Sequence, residues 1–184
     1  MRKATFNDKD LVVDILSQSF NENKSINFVV KQDKKRAQRV KTLMEYSFFT
    51  GMSSGAVYID DTNLACAIFL HEKKTTLSSI LWDLKLVFKV IGIKNVFNVL
   101  KREQEIAKNQ PKSDFKHLWY LGVFPKSQGK GIGSKFLTDL LDFYKNDLIY
   151  LETSTLRNLP LYKRHGFSII NEINLGYKLF ILKK

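Results

Sequence analysis

The stretch "SQGKGIGSKF", Ser127 to Phe136, decides how the rest of the chain is read. It sets Gly129, Gly131 and Gly133 within five residues, directly after the apolar run "LWYLGVF" (Leu118–Phe124) and Pro125. An amphipathic segment follows, with Phe136, Leu137, Leu140, Leu141 and Tyr144 on one side. The continuous apolar run predicts a central strand buried on both faces, so the glycines turn the chain from strand into helix. Gly122 inside the run signals a bulge or a close backbone approach. Glycine takes left-handed turns and leaves no Cβ in the way of converging N–H groups. A helix starting near Gly133 adds the positive end of its dipole, and Lys126, Lys130 and Lys135 add full charges. This chemistry favours a bound anion; a tight turn without a ligand is the plainer alternative.

Spacing excludes two familiar phosphate loops. The P-loop needs G-x-x-x-x-G-K-[ST], but Gly133 is followed by Ser134 and then Lys135, and Gln128 stands where the first glycine belongs. The dinucleotide fingerprint needs G-x-G-x-x-G, and its third position falls on Ser134.

Working outward, Leu148–Leu151 reads as the next strand, and "TSTLRN" opens a short helix that stops at Gly166. Ile169–Leu175 and Tyr177–Leu182 form a hairpin around Gly176. Upstream, Lys3–Phe6 is a first strand, and Leu11, Val12, Ile15, Leu16 and Phe20 face one side of a helix capped by Asn7 or Asp8. A second helix covers about 34–49 and is ended by Gly51. Ala56–Ile59 and Leu64–Leu70 are strands joined by the turn "DDTN". Residues 77–108 are a helical insertion broken at Gly92: a helix pair packed on the core, a lid over an acceptor cleft, or a basic helix on a membrane surface. Its Trp82, Phe88 and Phe97, with Phe28, suggest an aromatic-lined pocket, though core packing explains them as well. The element order is β-α-α-β-β-(α-α)-β-α-β-α-β-β. It predicts an α+β chain, a single domain over 1–184, with a mixed sheet of six or seven strands and one parallel pair at its centre.

Composition narrows the setting. With 184 residues, 44% apolar and 26% charged, the chain has enough material for one real core. A lone Cys66 allows no intrachain disulfide and suits a reducing, cytoplasmic setting. The N-terminus has no apolar signal stretch, and the lysines within 77–101 argue against a membrane span. The formal charge is +12, yet Lys outnumbers Arg by about four to one and no dense Arg cluster occurs. No nucleic acid and no membrane are expected as partners. Without a Cys/His cluster of metal spacing, no metal is expected either. The oligomeric state is open between monomer and homodimer.

Two motifs carry a family resemblance. "Q-G-K-G-I-G" after "V-F-P" resembles the acyl-CoA loop of the GNAT superfamily of N-acetyltransferases, [RQ]-x-x-G-x-[GA], filled here by Gln128, Gly131 and Gly133. "YLETSTLRNLPLYKRHGF" (Tyr150–Phe167) resembles the second GNAT motif, and the two together are similar to the puromycin N-acetyltransferase-like branch. The match covers about 116–167; the first 115 residues agree only in outline.

The resemblance implies acetyl-CoA as cosubstrate and a primary amine of a small molecule as acceptor, with direct transfer in a ternary complex and no covalent enzyme intermediate. The backbone of Gln128, Gly129, Lys130, Gly131, Ile132, Gly133 and Ser134 would hold the pyrophosphate. Leu121, Gly122 and Val123 would pair with the pantetheine arm, and one N–H there would polarise the thioester carbonyl. Asn158 would lie beside the cofactor arm or cap its own helix. Tyr162 would protonate the departing sulfur. Glu152 is the candidate base or ammonium anchor, with His117 the weaker base candidate. His165 reads as structural, and His71 has no evident partner. The alternatives are a non-catalytic CoA- or nucleic-acid-binding protein of this fold, and a protein or peptide N-acetyltransferase.

Overall fold

A computed structural model gives the fold and describes residues 1–71 and 84–184. Its frame is one seven-stranded sheet in the order β1-β2-β3-β4-β5-β7-β6. The strands are β1 (Arg2–Lys3), β2 (Gly55–Ile59), β3 (Ala65–Leu70), β4 (Lys116–Val123), β5 (Ile149–Thr153), β6 (Ser168–Asn174) and β7 (Lys178–Lys183). Every pairing is antiparallel except β4 with β5. The mixed sheet with its single parallel pair is as the sequence predicts. The helices are α1 (Lys9–Ser19), α2 (Lys24–Val29), α3 (Arg36–Ser54), α4 (Val96–Lys108), α5 (Ile132–Phe143) and α6 (Leu159–Arg164).

Alternation along the strands builds two cores, one on each face of the sheet. Val57, Ile59, Cys66, Ile68 and Tyr120 pack under α1 and α3, against Val12, Leu16, Met44 and Phe48. Ala65, Ala67, Phe69, Leu118, Ile149 and Leu151 pack under α5 and α6, against Phe136, Leu137, Leu140, Tyr162 and Phe167. Burying side chains of this size stabilises by roughly 1.5–3 kcal/mol each.

Three local expectations are corrected. The first strand is shorter than 3–6, because Phe6–Asp8 already winds as a 3-10 turn whose start is held by Asp8 Oδ2 accepting from the Thr5 amide at 2.8 Å. Gly51 does not stop α3, which runs on to Ser54. It is buried where a Cβ would sit 2.5 Å from Ile68 Cγ2 and 2.9 Å from Val57 Cγ2, so it lets the helix lie against the sheet. The break at Gly92 is real, with φ +76°, but the stretch before it, Val87–Ile91, is π-helical. The apolar stripe predicted at Leu77, Ile80 and Leu81, and Trp82 of the aromatic pocket, lie outside the described residues. Of that pocket, Phe28 packs on Tyr177 with ring centroids 5.7 Å apart, whereas Phe88 and Phe97 face outward.

Candidate active site

The parallel pair decides where a ligand fits. Strands β4 and β5 are in register at only two positions, Lys116 with Ile149 and His117 with Tyr150. Beyond them both strands continue, to Val123 and Thr153, without pairing to each other. The edge of β4 from Leu118 onward therefore faces a gap in the sheet. A bulge lies at the mouth of this gap: Ile68 pairs with Tyr120 and Phe69 with Leu118, leaving Trp119 as the extra residue. The bulge turns Trp119 and Tyr120 to the same face, toward the α1–α3 core, although they are adjacent in sequence.

Of the two readings of Gly122, a bulge or a close approach, the structure takes the second. A Cβ there would lie 3.0 Å from Leu16 Cδ2 and 3.1 Å from Ser19 Oγ, so Gly122 lets α1 approach the strand. Ser19 Oγ donates to the Val123 carbonyl at 2.8 Å, and Gln128 Nε2 donates to the same oxygen at 3.0 Å. The Phe124 amide bonds Leu64 on the β3 side at 3.0 Å. Backbone alternation then turns the amides of Leu121 and Val123 toward the gap and that of Gly122 toward β3.

The glycine loop closes the gap at its wide end. Gly129 and Gly131 adopt φ +77° and +83°, left-handed values, and nothing lies within 4 Å of where either Cβ would be. Gly131 is the N-cap of α5, with no side-chain capping bond. The first-turn amides of Ile132, Gly133 and Ser134 therefore lack intrahelical acceptors and converge on one spot. Gly133 lets this turn approach β4, since its Cβ would be 3.2 Å from Val123 Cγ2. Lys135 pairs with Asp139 at 2.8 Å, while Lys126 and Lys130 are exposed and form no ion pair among the described residues. An anion of phosphate size suits these donors.

Tyr162 and Glu152 sit on opposite faces of the sheet. Tyr162, on α6, belongs to the α5–α6 core and lies edge-on to Phe167 at 5.7 Å. Its hydroxyl makes no hydrogen bond among the described residues, and burial alone pushes its pKa up to about 12. Asn158 begins the same helix without a side-chain capping bond, so its amide is not spent on its own helix.

On the other face, Glu152 Oε2 meets His117 Nε2 at 2.7 Å, and Glu152 Oε1 accepts from the Tyr150 hydroxyl at 2.8 Å. The His117 and Tyr150 rings lie 5.0 Å apart. Burial alone would raise the Glu152 pKa. The charge and hydrogen bond of His117, the Tyr150 hydroxyl and the Arg102 guanidinium outweigh burial and hold the carboxyl below its usual range. Burial and the adjacent carboxylate in turn push the Tyr150 phenol up.

Sequence reading missed Tyr150, although its place two residues before Glu152 on one strand puts both on one face. It also missed Arg102 of α4, whose Nε donates to the Tyr177 hydroxyl at 2.9 Å and whose Nη2 donates to Ser25 at 3.2 Å. These bonds tie α4 to α2 and to the turn between β6 and β7, which no local pattern announces. His165 is structural as expected, bridging Leu161 O at 2.9 Å and Thr138 at 3.2 Å. His71, without an evident partner in the sequence, meets the Tyr144 hydroxyl at 2.9 Å. Among the described residues no cluster suits a metal ion.

Known proteins share parts of this sequence and its fold. The Acetyltransferase (GNAT) family model matches residues 89–167. The N-alpha-acetyltransferase RimI of Mycobacterium tuberculosis is 45% identical over 49 residues, 26% of this chain and 31% of that protein. An uncharacterized N-acetyltransferase of Schizosaccharomyces pombe is 36% identical over 97 residues, 50% of this chain and 39% of that one. The chain thus spans well under half the length of the curated relatives it matches. Among solved structures, a Corynebacterium glutamicum protein described as histone acetyltransferase HPA2 and related acetyltransferase superposes with a TM-score of 0.76 at 19% identity, covering 100% of this chain and 93% of that one. Residues 89–167 thus resemble the GNAT acetyltransferase family, and the fold along the whole length is one found among solved structures.

Proposed function

We propose that the chain is an acetyl-CoA-dependent N-acetyltransferase acting on a primary amine of a small molecule, by direct transfer in a ternary complex. The observation that carries this reading is the two-pair β4–β5 ladder opening into a gap, with the left-handed glycine loop at its wide end. Acetyl-CoA, when bound, supplies the thioester. The amides from Gln128 to Ser134 would hold its pyrophosphate. The amides of Leu121 and Val123 would line the arm, with Gly122 setting the distance to α1 and Asn158 beside it.

Tyr162, protonated at neutral pH, would give its hydroxyl proton to the departing sulfur from the α5–α6 face. On the far face, Glu152 would act through His117. In the neutral imidazole, with Nε2 donating to the carboxylate, Nδ1 of His117 would carry the lone pair that accepts a proton from the incoming amine. The two proton-transfer groups thus flank the gap rather than sharing a side.

One domain over 1–184, with the segment to Lys108 covering the acceptor side, belongs to the same reading. So do a cytoplasmic setting, which rests on the single buried Cys66, and membership of the puromycin-like branch, which rests on the motif wording in 116–167. The local identity to an N-alpha-acetyltransferase favours a second reading, transfer to a peptide α-amine.

The test is thiol release from acetyl-CoA across a panel of small amines, polyamines and short peptides. Turnover with small amines supports the proposal; turnover with peptides alone moves it to the second reading; none with any acceptor sinks both. The loop can be probed separately. Gly131→Ala forces a Cβ into a left-handed residue at about 1–2 kcal/mol. Acetyl-CoA affinity, read by calorimetry, should fall ~10-fold as one or two loop hydrogen bonds are lost. An unchanged affinity would remove the loop from the cofactor site.

A further inference from the structure

The segment from Leu84 to Leu100 is apolar on two sides, and among the described residues only one of them is covered. Its inner side is pinned to the body. Val90 and Ile91 are buried, as are Val99 and Ile106 of α4. The Lys31 amide bonds Val90 O at 2.9 Å, Asn95 Nδ2 bonds Phe28 O at 2.8 Å, and Arg39 bonds Lys89 O. The outer side carries Leu84, Phe88, Ile93, Phe97 and Leu100, with Phe97 75% and Ile93 70% exposed. These are five of the ten exposed large apolar side chains among the described residues, and all five fall between Leu84 and Leu100.

Within the segment itself the charge has a single sign. From Leu84 to Arg102 the sequence holds Lys85, Lys89, Lys94, Lys101 and Arg102 and no acidic residue. Lys89, Lys94 and Lys101 are exposed and make no ion pair among the described residues. A second copy of the chain is a poor occupant, because a two-fold contact would bring these lysines against their own copies. Nucleic acid would take the lysines and leave five large apolar side chains without a use. An anionic bilayer surface takes both: the apolar row enters the acyl boundary and the lysines reach the headgroups. No helix among the described residues is long and apolar enough to cross a membrane, so the contact is interfacial.

We propose that the outer ridge of residues 84–101 docks the protein onto anionic membrane surfaces. This revises the expectation of no membrane partner, and it does not depend on the catalytic assignment. Flotation of the full chain with phosphatidylcholine vesicles, and with vesicles that also hold phosphatidylglycerol, tests it. Partition should be at least ~10-fold higher on the anionic vesicles and should fall as salt is raised. Phe88→Ser with Phe97→Ser should lower that partition ~10-fold, as should Lys89→Gln, Lys94→Gln and Lys101→Gln together, with thermal melting and acetyl-CoA affinity unchanged. Equal partition on both vesicle types, no partition, or a Phe variant that binds like the wild type would overturn the proposal. So would a concentration-dependent dimer in sedimentation that the Phe variant abolishes without any vesicle binding.

Discussion

Tyr162→Phe is expected to lower kcat by ~10²–10⁴-fold, the range for losing a positioned general acid, while acetyl-CoA affinity stays the same. The substitution isolates one atom. The hydroxyl makes no hydrogen bond among the described residues, and the ring is held by the α5–α6 core and by Phe167, which phenylalanine would fill equally well. Thermal stability should therefore not move, and a loss of turnover can be read as chemistry. Burial pushes the phenol up to about 12, so the acid stays protonated through neutral and mildly basic pH. The rate should show no fall assignable to this group below about pH 11. Single-turnover measurement at saturating acetyl-CoA reads the step directly. A variant with wild-type kcat would remove Tyr162 from the reaction.

The placement of Tyr162 gives this expectation its force. A parallel pair that stayed hydrogen-bonded to its ends would separate the two faces of the sheet completely. Because β4 and β5 part after His117 and Tyr150, a group lying in the gap is reachable from both faces. In the proposed reaction one face would receive a proton at the amine while the other delivers one at the sulfur. No side chain has to do both, and none has to serve as a nucleophile.

The sequence announces this arrangement unevenly. The strands, the parallel pair and the glycine loop are legible because each rests on local signals: apolar runs, left-handed glycines, a helix stop. What Gly51 does is not legible, and at Gly122 the sequence leaves a bulge and a close approach open. A glycine that permits close packing looks the same in sequence as one that ends a helix or marks a bulge, and only the partner across the contact distinguishes them. The bulge itself, at Trp119, carries no glycine, since a bulged residue in right-handed backbone needs none. Arg102 is hidden for a related reason. It lies on a helix with lysines around it, and what sets it apart is that Tyr177 and Ser25 come to it from distant parts of the chain. Glu152 was a single carboxylate at a strand end until the two-residue register with β4 brought His117 beside it.

That register leads to the second large effect. Glu152→Gln should reduce kcat by about 10²-fold or more and leave the amine KM within a few-fold. The reason lies in how the carboxylate is occupied. Oε2 holds His117 and Oε1 holds the Tyr150 hydroxyl, so its oxygens are engaged in orienting other groups. A carboxyl held below its usual range is also a weak base toward an ammonium. In the proposed reaction its contribution would be to fix the imidazole with Nδ1 free to accept a proton, and glutamine, able to present its NH₂ to the ring instead, would allow the wrong tautomer. A direct ammonium anchor would behave oppositely, with a raised amine KM and little change in kcat, and that result would reassign the residue.

Stability offers an independent readout. A carboxyl whose folded pKa lies below its unfolded value stabilises the fold above the unfolded pKa, roughly 4.3, and the stabilisation is lost as pH falls through the folded value. The melting temperature of the wild type should therefore drop more steeply than that of Glu152→Gln between neutral pH and about pH 3. The two curves should converge at the acid end, where Glu152 is protonated in both the folded and the unfolded chain. Parallel curves across that range would mean that the charge of Glu152 is not stabilised in the fold, and the case for its orienting His117 would fail with it.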